Sequence, residues 1–222
     1  MREEFISYWN VMAEAWRLAR RRRFWILGFA VLVAAAGWGL FFYDAAWSQA
    51  MVGDPKLPFP QWARRWSFWG DFYTGTLIVA FVLWFFGWLV KKPRWRRAAV
   101  ACVLAAALAG GTANCLRLTL GRPRPSAYLA DGFYGLQKSA NFHAFPSGHA
   151  ATSFGTAAAL AVAMPPLALP AFASAGFVCW ARMRLNRHYP TDILVGGALG
   201  IVFGVFLGWS ARRGRGDRRG KF

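Results

Sequence analysis

Long apolar runs alternate with short basic or Gly/Pro-rich interruptions along this chain. Each run approaches the ~20 residues that a helix needs to cross a hydrocarbon core. The first covers residues 24–43, with no charge in twenty positions. Further runs fall at about 72–90, 98–116, 150–164, 167–181 and 193–209. The fourth and fifth are short and are divided by Pro165-Pro166. Proline removes a backbone donor and breaks the helix there, so two spans joined by a tight turn fit better than a re-entrant pair. Gly196, Gly200 and Gly204 recur every fourth residue, a ridge that allows close helix packing. The pattern predicts an all-α fold: an integral membrane bundle of six transmembrane helices.

Ahead of the first run, Phe5, Tyr8, Trp9, Met12, Trp16 and Ala19 recur at helical spacing. This predicts an amphipathic interfacial helix over 1–23. A cleaved signal peptide fits less well, because the leading region is long and the apolar run is of span length. Residues 44–71 carry Trp47, Trp62, Trp66 and Trp69 among prolines and charges. They read as an interfacial segment with at most a short helix. The expected organisation is therefore the helix at 1–23, a six-span domain at 24–210 and a basic cytoplasmic tail at 211–222.

Composition supports the membrane reading. Of 222 residues, 57% are hydrophobic and 16% charged, whereas soluble domains carry about 25% charged residues. Thirteen Trp and twenty Phe suit aromatic interfacial belts. The net charge of +18 raises the question of nucleic acid, but its placement argues against that partner. Most of it sits in three clusters that abut apolar runs: Arg17 with Arg20 to Arg23, Lys91 to Arg97, and Arg212 to Lys221. Juxtamembrane charge of this kind attracts anionic lipid head groups. With six spans, residues 1–23, 91–97 and 211–222 share one face and hold 17 of the 27 Lys and Arg. The positive-inside rule makes that face cytoplasmic. The loops at 44–71, 117–149 and 182–192 then face outward from a bacterial inner (plasma) membrane. Three cysteines without CxxC spacing give no support to a disulfide framework or a structural zinc.

The outward loops hold the candidate chemistry. One reads Arg117 to Pro125 with Arg122 and Arg124 inside it; the next contains Pro146-Ser147-Gly148-His149; the last runs from Arg182 through Arg184, Arg187 and His188 to Asp192. Guanidinium groups present a fork of donors that matches phosphate oxygens. Arg117 lies at the end of an apolar helix, where an unpaired charge is costly and a functional role is the default. Pro146 suits the first position of a helix, so the N–H groups of Ser147, Gly148 and His149 would point at an anion. A neutral imidazole attacks phosphorus, and a protonated one serves a leaving alkoxide. Asp192, four residues after His188, suits the role of holding one ring nitrogen protonated. His149, on another helix, suits the general acid. His143 either lines the mouth or sits in a loop. Arg122, Arg184 and Arg187 either touch a second phosphate at the rim or face water and lipid phosphates.

Arg117-x6-Arg124-Pro125, Pro146-Ser147-Gly148-His149 and Arg182-x5-His188-x3-Asp192 resemble the three signature motifs of the type-2 phosphatidic acid phosphatase and vanadium haloperoxidase superfamily. Order and internal spacing both match over residues 110–200. Two positions depart from the family's usual pattern: it has Lys at Arg117 and Ser at Ala181. The resemblance implies a packed helical core and hydrolysis of a lipid phosphate or pyrophosphate. His188 would be the nucleophile that forms a phosphohistidine, Asp192 its orienting carboxylate and His149 the proton donor. Arg117, Arg124, Arg182, Ser147 and Gly148 would bind phosphoryl oxygens. It implies no metal and no cofactor. The spans favour the membrane lipid phosphatase branch. Expected substrates are undecaprenyl pyrophosphate, phosphatidylglycerol phosphate, phosphatidic acid or a lipid A phosphate. A lipid phosphotransferase would use the same residues. A non-catalytic lipid binder or transporter would release no phosphate. A metal hydrolase using His143, His149, His188 and Asp192 conflicts with the surrounding arginines, which repel a cation. Oligomeric state is not legible.

Overall fold

The computed structural model describes residues 2–52 and 59–213, with side chains from residue 11 in the first segment and residue 61 in the second. The expected stripe residues Phe5, Tyr8 and Trp9 fall outside the described side chains, and residues 214–222 of the tail outside the described chain.

Among the described residues nine α-helices follow one another: α1 (Arg2–Arg21), α2 (Arg23–Phe41), α3 (Asp44–Val52), α4 (Phe59–Trp69), α5 (Leu77–Leu89), α6 (Pro93–Leu120), α7 (Gly148–Ala163), α8 (Ala168–Arg184) and α9 (Pro190–Arg212). A π-helical turn at Phe72–Thr76 runs into α5. Among the described residues the only β-type pairing is one isolated bridge between Arg122 and His143. Among the described residues four helical stretches are long and apolar enough to cross a membrane by length and composition: Arg23–Phe41, Phe72–Leu89, Pro93–Leu120 and Pro190–Arg212. Their presence makes this an integral membrane protein. The expected fourth and fifth spans exist as α7 and α8, but at 16 and 17 residues they reach only about 24–26 Å at 1.5 Å per residue. Six full-length spans are thus not what length alone delivers.

The core is built on α6, α7 and α9, each packed on the other two. Small residues make that possible. A Cβ placed on Gly196 would lie 2.4 Å from the Ser147 carbonyl oxygen, on Gly200 2.5 Å from that of Ala151, and on Gly204 2.6 Å from that of Gly155. The expected ridge is real and extends to Gly208, whose Cβ would meet the Ala159 oxygen at 2.5 Å. Ala98, Ala101, Ala105, Ala109 and Ala113 of α6 are fully buried. At the far end of α7, Arg94 forks onto the Ala163 carbonyl with Nε at 3.0 Å and Nη2 at 2.6 Å. That pairs a cation with a helix C-terminus.

α1 lies against α9 and α6. It buries Val11 and Ala15, and the Ser210 hydroxyl donates to the Val11 carbonyl at 2.7 Å. Met12 and Trp16 of the expected stripe point outward, away from this packed face. Residues 44–71 differ from expectation. They form two helices, α3 and α4, and both dock on α8.

Candidate active site

Each of the three motif segments begins or ends a helix at the same end of the bundle. Arg117 occupies the last turn of α6. Gly121 ends that helix with φ 61°, and its N–H donates to the Arg117 carbonyl at 3.2 Å. A side chain there would strike the Gly135 carbonyl oxygen, 2.1 Å from an ideal Cβ. Only glycine fits both the left-handed backbone and the space. The chain then turns sharply into Arg122-Pro-Arg124.

In the second segment Ser147, not Pro146, sets the helix start. Ser147 is the N-cap of α7, and its Oγ accepts from the Ala150 N–H at 3.4 Å. Serine supplies a capping oxygen that proline lacks, so Pro146 stands one residue before the cap. The Ser147 N–H is already engaged, donating to the Asp192 main-chain oxygen at 3.0 Å. Ser147 is fully buried. The expected three-donor cradle thus reduces to the first-turn N–H groups of Gly148 and His149, which have no carbonyl one turn earlier. Arg117 reaches this point: its Nη1 lies 3.3 Å from where a Gly148 Cβ would sit.

In the third segment Arg182 and Arg184 lie in the last turn of α8. Asn186, at φ 55°, turns the chain away. Pro190 opens α9, with Asp192 in its first turn as the spacing predicts. Asp192 Oδ2 accepts the Tyr189 N–H at 2.8 Å. His188 is 1% exposed. Its Nδ1 donates to the Ala144 carbonyl at 2.8 Å, while Asp192 Oδ2 lies 3.7 Å from the same nitrogen. Asp192 therefore faces the imidazole without being its hydrogen-bond acceptor; a loop carbonyl takes that part. A carbonyl oxygen only accepts, so Nδ1 carries the hydrogen and Nε2 keeps its lone pair. Burial holds the His188 pKa below the ordinary histidine value, against the opposing pull of Asp192.

The charged groups converge. His149 lies in the field of Arg182, His188, Arg117 and Arg124. His188 feels Arg182 and Arg124. Burial, with Arg187 and Arg117 nearby, lowers the proton affinity of Arg124. The buried Nε atoms of Arg124 and Arg182 have no hydrogen-bond partner among the described residues. Buried, unspent N–H donors on guanidinium groups are what an oxyanion satisfies. Among the described residues no group of three His, Cys, Asp or Glu is placed to hold a metal ion.

Of the two candidate rim residues, His143 takes the loop alternative and Arg122 is held elsewhere. His143 is half-buried and places Nε2 3.0 Å from the Gln137 carbonyl, tying its own loop together. Arg122 is completely buried. Its Nη1 donates to Asp192 Oδ1 at 2.8 Å and to Thr191 Oγ1 at 2.7 Å, and its Nη2 to Asp44 at 2.9 Å and Asp131 at 2.7 Å. The guanidinium also lies 4.2 Å from the Tyr189 ring centroid and 4.9 Å from that of Phe41. Three carboxylates outcompete water and lipid phosphate for this cation.

Sequence reasoning missed what 44–71 contributes. Asp44 accepts from the Thr191 N–H at 3.0 Å and from the Thr191 hydroxyl. Ser67 accepts from Arg182 Nη1 at 2.9 Å, and the Gly70 carbonyl accepts the Thr152 hydroxyl at 2.8 Å. Asp44 was findable: it is the first charge after twenty charge-free positions, where a carboxylate calls for a partner. Ser67 and Gly70 carry no such signal. Beyond His149 along α7, an apolar cavity of about 300 Å³ opens between α4, α5, α7 and α8, lined by Trp66, Trp69, Val79, Ser153, Leu160 and Val178 among others. Ser153 connects the two regions, donating to the His149 carbonyl at 2.6 Å.

The PAP2 superfamily matches residues 98–215, which take in all three motif segments. The chain belongs to the PAP2 superfamily. Among its PAP2-related matches, a lipid A 1-phosphatase of Porphyromonas gingivalis is 30% identical over 128 residues, 56% of this chain and 26% of that protein. Lipid A 1-phosphatases of Rhizobium johnstonii and Rhizobium etli are 31% and 33% identical over 99 residues, 43% of this chain. The chain matches only about a quarter to two-fifths of the length of these relatives. The crystal structure of Aquifex aeolicus LpxE superposes with TM-score 0.54 at 20% identity, covering 74% of this chain and 93% of that one. A Bacillus subtilis PAP2-type phosphatidylglycerolphosphate phosphatase gives 0.53 at 21% identity, covering 82% and 93%. These two structures share the PAP2 fold with this chain.

Proposed function

We propose that this protein hydrolyses the phosphate or pyrophosphate monoester of a membrane lipid, without a metal, through a phosphohistidine on His188. The carrying observation is the Nδ1–H of His188 on the Ala144 carbonyl. It leaves Nε2 as a bare nucleophile beside arginines whose Nε donors are unspent. Nε2 attacks phosphorus and the P–O bond to the lipid breaks. His149 gives its proton to the leaving oxygen; the negative charge of the bound phosphate favours the imidazolium there. Water then loses a proton to His149 and attacks phosphorus, the P–N bond breaks, and orthophosphate departs. Arg117, Arg124, Arg182 and the N–H groups of Gly148 and His149 bind the phosphoryl oxygens. They meet the charge that builds up during transfer.

Lipid A 1-phosphate is the first substrate to test, because three relatives bear the name lipid A 1-phosphatase. The cavity beyond His149 receives an apolar chain of that lipid. In this reading α2, α5, α6, α7, α8 and α9 all cross the bilayer, and the site opens at the outer face of the inner membrane. The basic stretches at 1–23, 91–97 and 211–222 then meet anionic head groups on the cytoplasmic side, with α1 lying at that interface.

The decisive experiment measures phosphate release from lipid A 1-phosphate in detergent micelles. Wild type releases phosphate, and His188→Gln loses at least about 10³-fold in rate with an unchanged melting temperature. A His188→Gln protein that turns over near the wild-type rate refutes the assignment.

A further inference from the structure

One residue outside the phosphate-binding set reaches both groups that face the Nδ1 of His188. The Arg122 side chain holds Asp192, with Nη1 on Oδ1 at 2.8 Å. Its main chain holds the other group: the Ala144 N–H donates to the Arg122 carbonyl at 3.1 Å, and the Ala144 carbonyl takes the His188 Nδ1–H at 2.8 Å. The isolated bridge between Arg122 and His143 fixes this strand of loop against the motif.

We infer that Arg122 is the positioning residue of the nucleophile: it fixes the tautomer and orientation of His188 through Asp192 and Ala144, and touches no substrate atom itself. The inference rests on the proposed role of His188.

Burial supports this division of labour. A guanidinium with no exposed surface, bound by Asp44, Asp131 and Asp192, has no donor to lend to a phosphate. Its charge matters to the imidazole nonetheless. With Arg122 on Oδ1, the Asp192 carboxylate is partly neutralised and its pull on a His188 proton is weakened, so the ring stays neutral with a free Nε2. Aspartates 44 and 131 balance the arginine from α3 and from the loop. Their effect on the ring runs through Arg122 rather than by contact. The other charged or titratable groups that face His188 are Arg182 of α8, Arg124 of the loop and His149 of α7. The two guanidinium groups disfavour an imidazolium, and none of the three contacts Nδ1.

The test combines ¹⁵N-histidine NMR of the full chain in micelles with pH–rate profiles on lipid A 1-phosphate. The His188 signals are assigned by their loss in His188→Gln. In wild type, His188 must show one tautomer with Nδ1 protonated. Mixed tautomers in the wild type overturn the inference without any variant. In Arg122→Gln the Asp192 carboxylate is freed, so the imidazolium gains stability. The acid limb of kcat/KM and the NMR titration of His188 both move to higher pH. Partners that orient an imidazole are worth about 10–100-fold in metal sites, and a loss of that size is expected in kcat with KM within about twofold. An Arg122→Gln protein that loses activity only in proportion to its folded fraction, with tautomer and acid limb unchanged, refutes the inference. Because Arg122→Gln leaves two buried carboxylates, Asp44 and Asp192, Asp44→Asn/Arg122→Gln serves for the same readouts where the single variant is too unstable. If wild type shows the expected tautomer but releases no phosphate, the proposed function fails while the positioning role of Arg122 stands.

Discussion

The Ser147 N–H donates to the main-chain oxygen of Asp192 at 3.0 Å. That bond joins the first turn of α9 to the cap of α7, so the helix bearing His149 and the helix bearing the carboxylate of His188 start from a common point. Gly196 of α9 lies directly against the Ser147 carbonyl, and the contact admits no side chain. The geometry of the site is inherited from this helix pair.

Substitution along the ridge should therefore unfold the protein before it touches chemistry. Gly200→Ala puts a Cβ 2.5 Å from the Ala151 oxygen and 2.6 Å from the Gly155 nitrogen, both main-chain atoms that cannot rotate away. Overpacking of this kind costs about 1–3 kcal/mol, and the melting temperature in detergent falls. Gly28→Ala on α2, with nothing within 4 Å of its Cβ, leaves the melting temperature unchanged or higher. Equal effects from the two variants would contradict the packing.

Asp44 carries a second stability prediction. It is fully buried and accepts from Arg122 and from both the N–H and the hydroxyl of Thr191. Asp44→Ala strands these donors, and breaking a buried ion pair costs about 3–5 kcal/mol. Asp44→Asn retains an acceptor oxygen and costs less. Thermal denaturation of the two variants side by side checks the order.

Arg124→Gln and Arg182→Gln each remove a guanidinium whose Nε is unspent. Hydrogen bonds to charged groups are worth about 1.5–3 kcal/mol, so kcat/KM falls about 10–150-fold. Inhibition by orthovanadate weakens in parallel. Arg184, which donates to the Met51 carbonyl at 2.5 Å, serves as the contrast: Arg184→Gln leaves vanadate inhibition intact.

Acid sensitivity follows from His188. Burial, opposed by Asp192, holds its folded pKa below the ordinary 6.5. Below that pH the unfolded chain takes up a proton that the native state resists. The stability contribution of neutral His188 is complete above about 6.5 and is lost as pH falls toward the folded value. Melting temperature measured from pH 8 to 5 should decline on the acid side, and His188→Gln should shallow the decline. An identical slope in the variant would remove His188 from the explanation.

Activity should persist in EDTA. Arg117, Arg124 and Arg182 converge on His149 and repel a cation; in the proposed mechanism they supply the positive charge that a metal provides elsewhere. Loss of phosphate release on chelation, restored by a divalent ion, would contradict this.

The helices were legible because apolar runs and their interruptions are local facts. The glycine ridge could be read for the same reason, since Gly196, Gly200 and Gly204 repeat within one helix. The three motif segments declared themselves by spacing. What was hidden depended on distance in sequence. Asp44 meets Thr191 and Arg122 across more than seventy positions, and no local pattern announces which arginine of Arg122-Pro-Arg124 is bound by carboxylates and which keeps an unspent Nε. The acceptor for His188 was hidden as well. A main-chain carbonyl, such as that of Ala144, has no residue-type signature, so the carboxylate four residues away drew the assignment instead.

None of the side chains of α2 is buried, and about 740 Å³ of almost wholly apolar space separates it from α9, bounded by Phe29, Val33, Trp38, Val195 and Val202 among others. In a bilayer this groove is open to the acyl chains around it. A hydrophobic span can tilt to match the hydrocarbon thickness around it, and so loosely packed a span has room to do so. Detergent exchange therefore substitutes part of the molecule's own filling, and nanodisc chain length becomes an experimental variable on a par with temperature.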